Sequence, residues 1–513
     1  MTLNLTSPTI LRIPTEVADS LRDFLTYEDK KVTYEWLKWH KIQKLDDQWL
    51  LSDQRRKRNW FITKNSRYEL DEKVKELASQ KFKCLLFRDD KGYYTYSGLA
   101  TSISQKTGLK AVREYELPKR EVIYWDSEPE HTPRWYQSKS VELLAPPDGS
   151  RTQGAIEVGT GLGKTFIMAL LIKEIGLSTV IMVPTLSIAV QALKDFKKWF
   201  GPTKVGQFFG GKKQSDRFIV VAVSKSLSNV KKGDEHYKNL TTKKIVLTDE
   251  AHLAPPQSLS SVLFGLFSNI PYRYFVSGTV LRNDGLGLLL DAITGDIVFK
   301  MSVEQGINEG FLSPLKFFQV KVKSDSSLDT DDVIKMNRAH LQQNRNVYRH
   351  AAELINKAVI EKKRRVLVLV DTVDQYQRLL DGGLTVTSMF GHGPLTKDNR
   401  ELVPVAQRNF HPMDLVADFD LGKFPVLVAT GALSCGTDIR SADLLVNIVG
   451  LTSEIETRQG VGRGTRLFPG KIDTIYIDYD VYNCDIMHRH AKKRLKIYNE
   501  IYGSCKVLEW KGN

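Results

Sequence analysis

The fold of this chain is decided by the stretch Ala155-Ile156-Glu157-Val158-Gly159-Thr160-Gly161-Leu162-Gly163-Lys164-Thr165. Its first four residues predict a strand, and the apolar residues 166–172 that follow it predict a helix. A glycine-rich loop between a strand and a helix N-terminus presents backbone N–H groups to phosphates. The strict pattern has Gly or Ala where this chain has Val158, so a purely structural turn is the alternative. The Lys-Thr ending favours phosphate binding.

The loop assigns phosphate-binding roles to consecutive residues. Lys164 would neutralise the β- and γ-phosphates of ATP, and the Thr165 hydroxyl would bind Mg²⁺. The residues that would hold the phosphates through the backbone are Gly159, Thr160, Gly161, Leu162 and Gly163. The sequence therefore predicts an NTPase.

A second motif, Asp249-Glu250-Ala251-His252, lies about 85 residues downstream and follows the apolar run 245–247. Its carboxylates are expected at the carboxyl end of a buried strand, where open α/β sheets bind ligands. Asp249 suits Mg²⁺ binding, and Glu250 suits polarising an attacking water. Together with the loop, this motif strengthens the NTPase interpretation.

Composition is consistent with a multidomain motor. The 513 residues suggest about three domains at roughly 150 residues each. The net charge of +14 favours a polyanionic partner. No apolar run approaches the roughly 20 residues of a membrane span. The four cysteines are scattered, so neither disulfides nor a zinc site are expected, and a reducing compartment is the default.

Alternating apolar runs and helical stretches predict the fold class. Short runs that are apolar on both faces indicate parallel sheets covered by helices. They fall at 179–183, 219–223, 245–247 and 274–276, and then at 366–370, 426–429, 444–449 and 475–477. The polar residues 324–332 between the two sets resemble a linker. We therefore expect an α/β fold with two such domains behind a distinct N-terminal unit.

The order of further motifs resembles that of superfamily 2 helicases, in which ATP binds between two RecA-like domains. Pro133-Arg134-Trp135-Tyr136-Gln137 is similar to the adenine-reading element of the family, and Ser277-Gly278-Thr279 to its coupling element, with Gly278 in place of Ala. Residues 459–466 match its Gln-x-x-Gly-Arg-x-x-Arg motif. The resemblance implies an N-terminal accessory domain at 1–125, RecA-like domains at 126–315 and 341–485, a linker at 316–340, and a basic C-terminal helix at 486–513.

The resemblance also implies roles for individual residues. Gln137, assisted by Arg134, would bind the adenine edge. His252 would bridge to Ser277 and Thr279 and couple hydrolysis to movement, although a lone histidine is more often a core residue. The second domain would contact the nucleotide through Gly436 and Asp438. The residues expected to grip the nucleic-acid backbone are Pro184, Thr185, Gly210, Gly211 and Thr430.

Gln459, Arg463 and Arg466 complete the expected catalytic set, with Lys164, Asp249 and Glu250. Phosphoryl transfer builds charge on the γ-phosphate oxygens, and a guanidinium fork stabilises that charge. Two arginines three positions apart on a helix share one face, so both could reach the nucleotide. The alternative is a solvated surface loop or a basic patch.

Val280-Leu281-Arg282-Asn283-Asp284 resembles an Arg-Glu-Asp element of XPB-like helicases and of the phage UvsW-type helicases that remodel branched DNA. Asn283 replaces the Glu of that element, and Arg282 would contact DNA. The N-terminal unit contains a basic run, Arg55-Arg56-Lys57-Arg58, beside Trp60 and Phe61. These residues could bind phosphates and stack on bases, or they could be a solvated charge run beside core aromatics.

The sequence thus predicts an ATP- and Mg²⁺-dependent DNA helicase or translocase that acts on branched duplexes. An RNA helicase of the Asp-Glu-Ala-His type is one alternative. An ATP-gated DNA-binding regulator that never separates strands is another. We expect a cytoplasmic protein, in the host cytoplasm if a phage encodes it, with no membrane or zinc partner. A monomer is the default expectation for its oligomeric state.

Overall fold

The computed structural model describes residues 1–43, 66–250, 256–278, 287–392, 395, 400–408, 412–430, 439–450, 464–501 and 505–510. The chain divides into two compact units. The first comprises Met1–Ile156, Met168–Pro184 and Lys197–Phe299, and the second comprises Glu157–Ile167, Thr185–Phe196 and Lys300–Asn513. Among the described helices, none has the length and apolar character needed to cross a membrane.

The strands are β1 (Leu3–Ser7), β2 (Ile10–Ile13), β3 (Thr26–Glu28), β4 (Phe82–Cys84), β5 (Phe87–Asp89), β6 (Gly92–Tyr96), β7 (Ala111–Arg113), β8 (Gln153–Val158), β9 (Thr179–Val183), β10 (Val205–Phe209), β11 (Lys212–Lys213), β12 (Ile219–Val223), β13 (Ile245–Asp249), β14 (Tyr272–Ser277), β15 (Ile297–Met301), β16 (Leu315–Val322), β17 (Val366–Leu369), β18 (Ser388–Gly391), β19 (Val426–Ala429), β20 (Leu444–Asn447), β21 (Thr474–Val481) and β22 (Lys506–Glu509).

The α-helices are α1 (Thr15–Ala18), α2 (Lys30–Gln43), α3 (Ser66–Gln80), α4 (Ala100–Thr107), α5 (Trp135–Leu144), α6 (Lys164–Ile175), α7 (Leu186–Phe200), α8 (Ser224–Ser228), α9 (Glu235–Thr241), α10 (Pro256–Ser261), α11 (Gly287–Thr294), α12 (Val303–Asn308), α13 (Val333–Asn337), α14 (Arg345–Lys362), α15 (Asp374–Asp381), α16 (Pro412–Asp420) and α17 (Asp485–Ile501). Shorter 3₁₀- or π-helical turns lie at Asp19–Leu21, Ser97–Leu99, Val262–Leu266, Arg338–Gln342, Arg400–Leu402 and Val405–Gln407.

The first unit begins with a five-stranded sheet of order β5-β6-β2-β1-β7 and a separate two-stranded pair, β3-β4. The sheet is antiparallel except between β1 and β7, which run parallel. A tight turn joins β5 to β6, because Asp89 pairs with Gly92. A small α/β N-terminal domain therefore precedes the two larger sheets, as predicted.

An eight-stranded sheet of order β11-β10-β12-β9-β13-β14-β8-β15 follows in the chain. Its strands β10, β12, β9, β13 and β14 pair in parallel. The apolar runs of the sequence become fully buried strands, as in β9 and β13. Because parallel strands bring their carboxyl ends to one edge, the residues that follow β9, β10 and β13 meet at the same edge of the sheet.

The N-terminal sheet packs on the eight-stranded sheet and shares one hydrophobic core with it. Leu3, Leu11 and Leu99 belong to the same buried cluster as Phe275 and Leu290. The ring of Tyr96 stacks on Phe264 with centroids 3.9 Å apart, and the Ser97 hydroxyl donates to Gln153 Oε1 at 2.8 Å. Phe264 lies on the π-helical turn Val262–Leu266, and the buried Arg273 donates to the carbonyls of Leu263 and Phe267 on either side of it. The N-terminal sheet and the eight-stranded sheet therefore belong to one packed body.

Gly98 is expected to be the position where this packing tolerates least change. A Cβ at Gly98 would meet the carbonyl oxygen of Ala292 and would lie 2.6 Å from that of Asp291. Gly98→Ala should therefore lower the free energy of unfolding by about 1–3 kcal/mol, the usual cost of overpacking. Thermal melting checks this, with Gly265→Ala as control. A Cβ at Gly265 would meet no atom within 4 Å, so that helical substitution should leave the melting temperature unchanged or raise it. An unchanged melting temperature for Gly98→Ala would show that the backbone around Ala292 and Asp291 shifts to accommodate the added methyl group at no measurable cost.

The second unit contains a seven-stranded sheet of order β18-β19-β17-β20-β21-β16-β22, in which every neighbouring pair is parallel. The strands β17, β19 and β20 are fully buried. Their core includes Val368, Val428 and Val446. The predicted α/β class with two parallel-sheet domains is confirmed.

The segment 316–340, which the sequence predicts as a linker, begins with a strand. Leu315–Val322 forms β16, which pairs with β21 along eight residues and with β22. Its side chains alternate between buried and more exposed positions, so it carries a strand pattern that the polar residues after it obscure. The polar residues after β16 are held by hydrogen bonds to His340. Ser324 Oγ lies 2.7 Å from His340 Nδ1, and His340 Nε2 lies 2.6 Å from the Leu328 carbonyl.

The predicted C-terminal helix at 486–513 is shorter than expected. The helix α17 ends at Ile501, and Lys506–Glu509 forms the edge strand β22. The basic face of α17 is also smaller than predicted, because Arg494 is buried and its guanidinium pairs with Asp478 at 2.9 Å. Lys492, Lys493 and Lys496 remain at least partly exposed.

Candidate active site

The glycine-rich loop lies between β8, which ends at Val158, and α6, which begins at Lys164. The predicted strand–loop–helix arrangement is confirmed. Gly161 and Gly163 have φ angles of 90° and 80°, a left-handed conformation that glycine adopts without strain. Such residues before a helix N-terminus turn successive backbone N–H groups to one side, and the resulting nest binds anions.

The residue types at the loop fit a nucleoside triphosphate and its Mg²⁺. Lys164 and Thr165 are the first two residues of α6, where the positive end of the helix dipole adds to the ammonium charge. A Cβ at Gly159 would lie 2.8 Å from Val303 Cγ2, so the loop has no room for a side chain there. The hydroxyl of Thr165 is a hard oxygen donor of the kind that Mg²⁺ prefers.

The end of the arginine motif lies against this loop within the second unit. A Cβ at Gly161 would be 3.3 Å from Thr465 Oγ1 and 3.6 Å from Arg466 Cγ. It would also be 3.0 Å from Leu312 Cδ2. The structure thus brings Arg466 beside the residues predicted to bind phosphate.

Two residues outside the predicted site hold this segment. The Ser313 N–H donates to the Thr465 carbonyl at 2.6 Å, and the Thr474 hydroxyl donates to the Gly464 carbonyl. Ser313 belongs to the Gly310–Pro314 segment, whose neighbouring Leu312 packs against the loop glycine. A bond between residues about 150 positions apart leaves no local pattern in the sequence.

Asp249 and Glu250 lie where the sequence predicts, at the carboxyl end of β13, and both are buried. Glu250 has a φ angle of 48°, which costs a residue with a Cβ about 1–2 kcal/mol. Its Oε2 accepts a hydrogen bond from Ser277 Oγ at 3.1 Å and another from the Gly278 N–H at 3.2 Å. The acidic motif and the coupling motif are therefore joined through the Glu250 carboxylate, a connection that the sequence predicts for His252.

The adenine-reading element forms the start of α5. Gln137 is buried, and its Oε1 accepts a hydrogen bond from the Arg134 N–H at 2.9 Å. The Arg134 guanidinium donates to the Tyr136 hydroxyl at 3.2 Å. The two predicted adenine contacts are thus coupled to each other at a helix N-terminus.

The residues predicted to grip nucleic acid follow strand ends. Pro184 and Thr185 come after β9, and the Ile188 N–H donates to the Thr185 hydroxyl at 3.4 Å at the start of α7. Gly210 and Gly211 come after β10 with φ angles of 55° and 82°, and a Cβ at Gly211 would meet no atom within 4 Å. Thr430 follows β19 and is buried, and its N–H donates to the Gly391 carbonyl at 3.1 Å.

The remaining predicted site residues lie outside the described residues. They are Arg55, Arg56, Lys57, Arg58, His252, Thr279, Arg282, Gly436, Asp438, Gln459 and Arg463. Their roles stay predictions.

Two family models match the chain. The first, "Type III restriction enzyme, res subunit", covers residues 130–275, and the second, "Helicase conserved C-terminal domain", covers residues 348–467. With the two parallel sheets and the ordered motifs, these matches define the class: the chain belongs to the superfamily 2 helicases. It is an ATP-dependent enzyme.

Two distant relatives each match most of the chain. A protein of the Sulfolobus islandicus filamentous virus (isolate Iceland/Hveragerdi), provisionally named helicase 22, is 24% identical over 493 residues, which are 88% of this chain and 84% of the relative. The ATP-dependent DNA helicase uvsW of Enterobacteria phage T4 is 22% identical over 402 residues, 74% of each chain. A solved fragment from Vibrio vulnificus YJ016, provisionally an HsdR subunit of a type I restriction enzyme, has a TM-score of 0.53 at 17% identity and covers 75% of this chain and 69% of its own. That likeness concerns the fold.

Removing the hydroxyl that links Glu250 to the coupling motif should lower strand displacement more than it lowers hydrolysis. Hydrogen bonds to charged groups contribute about 1.5–3 kcal/mol, so we expect Ser277→Ala to lower the number of strands displaced per ATP hydrolysed by about tenfold. Parallel measurements of phosphate release and strand displacement on a forked duplex check this. Ser277→Thr keeps the hydroxyl and is the matched control. Equal losses in both measurements would show that Ser277 supports hydrolysis alone.

Proposed function

We propose that this helicase acts on DNA and unwinds or branch-migrates forked and junction duplexes, with ATP hydrolysis at the glycine-rich loop as its energy source. The observation that carries the proposal is the position of Arg466 and Thr465 beside Gly161. Within the second unit it pairs a phosphate-binding loop with an arginine segment. That pairing is what a motor needs to convert hydrolysis into domain movement.

Nucleotide binding is assigned to the loop and the adenine element. Lys164 places its ammonium at the β- and γ-phosphates, backbone N–H groups from Gly159 to Thr165 hold the phosphate oxygens, and Gln137 with Arg134 reads the adenine. Mg²⁺, when bound, would offset phosphate charge during transfer. The Thr165 hydroxyl and the Asp249 carboxylate are the oxygen donors that would hold it.

Hydrolysis is assigned to Glu250 and the arginines. The Glu250 carboxylate orients the attacking water, and its own direction is fixed by the bonds from Ser277 and Gly278. Arg463 and Arg466 stabilise the charge that develops on the γ-phosphate oxygens, with Gln459 beside them. Gly436 and Asp438 contact the nucleotide from the same domain.

Coupling follows from the Glu250–Ser277 bond. When the γ-phosphate leaves, the water and the charge near Glu250 change, and the carboxylate transmits that change to the segment 277–279. We assign His252 to the same link. The residues after the ends of β9 and β10, with Thr430 in the second domain, hold the DNA backbone.

The choice of DNA rests on three supports. The T4 relative is named a DNA helicase. The run 280–284, with Arg282, resembles the element of DNA-acting helicases. The net charge of +14 favours a polyanion. The preference for branched DNA rests on that run and on the basic–aromatic residues 55–61, and an RNA helicase or a non-unwinding regulator are the alternatives.

A substrate panel tests the proposal. Strand displacement and ATPase stimulation are measured on forked DNA, four-way junction DNA, forked RNA and blunt DNA of matched sequence. We expect displacement and stimulation with the two branched DNAs above those with the others. Equal activity on forked RNA would favour the RNA helicase, and stimulation without displacement on any substrate would favour the regulator.

Simultaneous neutralisation of Arg55, Arg56, Lys57 and Arg58 to glutamine is the second arm of this panel. It should weaken DNA binding and lower the log–log salt slope by roughly 0.7–0.9 for each phosphate that the protein no longer neutralises. A folded variant with an unchanged salt slope and unchanged branch preference would remove the basic run from the junction-reading role.

A further inference from the structure

Lys471 lies between the arginine motif and β21, and its ammonium is bound to three backbone carbonyls. The Nζ donates to the carbonyl oxygens of Gly464, of Ala442 at 2.6 Å and of Arg440 at 3.4 Å. An ammonium has three donors and no acceptor, so these bonds use its full capacity. All three N–H donors of the Lys471 ammonium are therefore used by backbone carbonyls.

One of the three carbonyls, that of Gly464, lies in the arginine motif, and the other two lie shortly after residues 436–438. Gly464 directly follows Arg463 and precedes the Thr465-Arg466 pair that lies beside Gly161. Arg440 and Ala442 follow Gly436 and Asp438 in the chain. One side chain thus joins the chain after the Gly-Thr-Asp motif to the end of the arginine motif.

The Gly464 carbonyl is held from two sides. The Thr474 hydroxyl donates to it as well, and a Cβ at Gly464 would be 2.7 Å from Thr474 Cγ2 and would meet Leu445 Cδ1. The backbone at Gly464 therefore packs directly on β20 and β21. Hydrogen bonds from a charged donor are about twice as strong as neutral ones, so Lys471 contributes the larger share of this restraint.

We propose that Lys471 is a positioning residue for Arg466. By clamping the carbonyls of Gly464, Ala442 and Arg440, Lys471 sets the placement of Arg466 beside the phosphate-binding loop. This inference rests on the proposed role of Arg466 in hydrolysis. A misplacement of about 1 Å in a catalytic group can cost about 10²-fold in rate. The clamp therefore controls turnover without touching the nucleotide.

The charge on the clamp is sensitive to pH. Burial lowers the pKa of Lys471 to about 8, and the carboxylates of Asp443, Asp420 and Asp473 oppose that shift. Lys316 and Arg364 in turn pair with Asp473 at 2.6 Å and 2.9 Å, and Arg364 also donates to the Asp443 carbonyl. Above about pH 8 the neutral amine has two donors for three carbonyls, so the clamp weakens.

The sign of this effect separates positioning from stability. The pKa of Lys471 in the folded protein lies below its ordinary value of 10.5. Between these values the unfolded chain binds more protons than the folded protein, so the free energy of unfolding rises with pH through this group. A loss of turnover above pH 8 that depends on Lys471 is therefore opposite in direction to its contribution to stability.

The test compares Lys471→Met and Lys471→Arg with a matched control, Lys243→Met. Lys243 is another buried lysine whose pKa is lowered to about 8 by burial, and its Nζ donates to the Arg217 carbonyl, which belongs to none of the nucleotide motifs. ATP turnover and KM are measured from about pH 7 to about pH 9.5 on the chain of 513 residues with DNA, with a melting curve for each variant.

We expect wild-type turnover to fall as the pH rises through about 8. Lys471→Met should lower kcat by about tenfold to a hundredfold at every pH, with less than about a threefold change in KM for ATP. Lys471→Arg stays charged over this range, so its turnover should not show the fall. Lys243→Met should keep both the turnover and the pH profile of the wild type.

The proposal is overturned by a wild-type kcat that does not change between pH 7 and about 9.5, or by a Lys471→Arg variant that shows the same fall as the wild type. A folded Lys471→Met variant with wild-type turnover would also overturn it. If Lys471→Met does not fold, the proposal is tested by comparing the pH dependence of kcat for the wild type with that for Lys471→Arg. Lys164→Ala is measured alongside: hydrolysis retained in that variant would reject the nucleotide site itself, whereas its loss with normal Lys471→Met turnover rejects the positioning role alone.

Discussion

Replacement of Lys164 by alanine is expected to abolish ATP hydrolysis, with a fall in kcat of at least about 10³-fold. Lys164 is the first residue of α6, directly after the left-handed Gly163. Its ammonium adds to the helix dipole at the point where phosphate charge is concentrated, and no neutral side chain replaces it. Release of phosphate at saturating ATP measures the effect.

Lys173→Ala is the matched control for this variant, because Lys173 lies in the last turn of the same helix. It should retain turnover. DNA binding without nucleotide should survive in Lys164→Ala, since the backbone grip is assigned to other residues. Hydrolysis by Lys164→Ala above a few per cent of the wild-type rate would reject the loop as the phosphate site.

The second large effect is expected at the arginine motif. Arg463→Ala should lower kcat by about 10³-fold or more, the scale of arginine fingers in phosphoryl transfer. Arg466→Ala should also lower kcat, because its side chain begins beside Gly161 of the phosphate-binding loop. KM for ATP should change much less in both, since the guanidinium acts chiefly on charge that develops in the transition state.

Lysine at either position gives a sharper test. It keeps the charge but cannot offer the planar fork of a guanidinium, so we expect Arg463→Lys to remain strongly impaired. Arg489→Ala, on α17, removes an arginine of no assigned role and should be neutral. A collapse of ATP affinity with normal turnover at saturation would make Arg463 a ground-state binding residue.

Local patterns in the sequence are sufficient to predict several parts of this molecule. Apolar runs on both faces identify the buried parallel strands, and glycine with Lys-Thr between a strand and a helix identifies the phosphate loop. The position of Asp249 and Glu250 at a strand end follows from the same logic, because polar residues after a buried strand lie at the sheet edge.

The parts that no local pattern predicts are contacts between distant residues. The sequence predicts a linker where β16 lies, because the partners of this strand, β21 and β22, are about 150 residues and more away in the chain. The bond from Ser277 to Glu250 and the clamp of Lys471 on Gly464 depend on backbone directions that no spacing encodes. Serine, glutamate, lysine and glycine are common residue types, and the two residues of each pair become neighbours only in the folded chain.

The shared core of the N-terminal unit and the first motor domain changes what can be transplanted between helicases of this kind. The segment 114–134 that joins them has no helix or strand, so it would be the obvious junction for a chimera. A graft made there would leave Phe264 and the carbonyls of Asp291 and Ala292 facing water, since Tyr96 and Gly98 cover them. A working chimera must therefore carry residues 262–268 and 287–294 with the N-terminal sheet. Any property that the N-terminal sheet confers is inherited together with part of the motor.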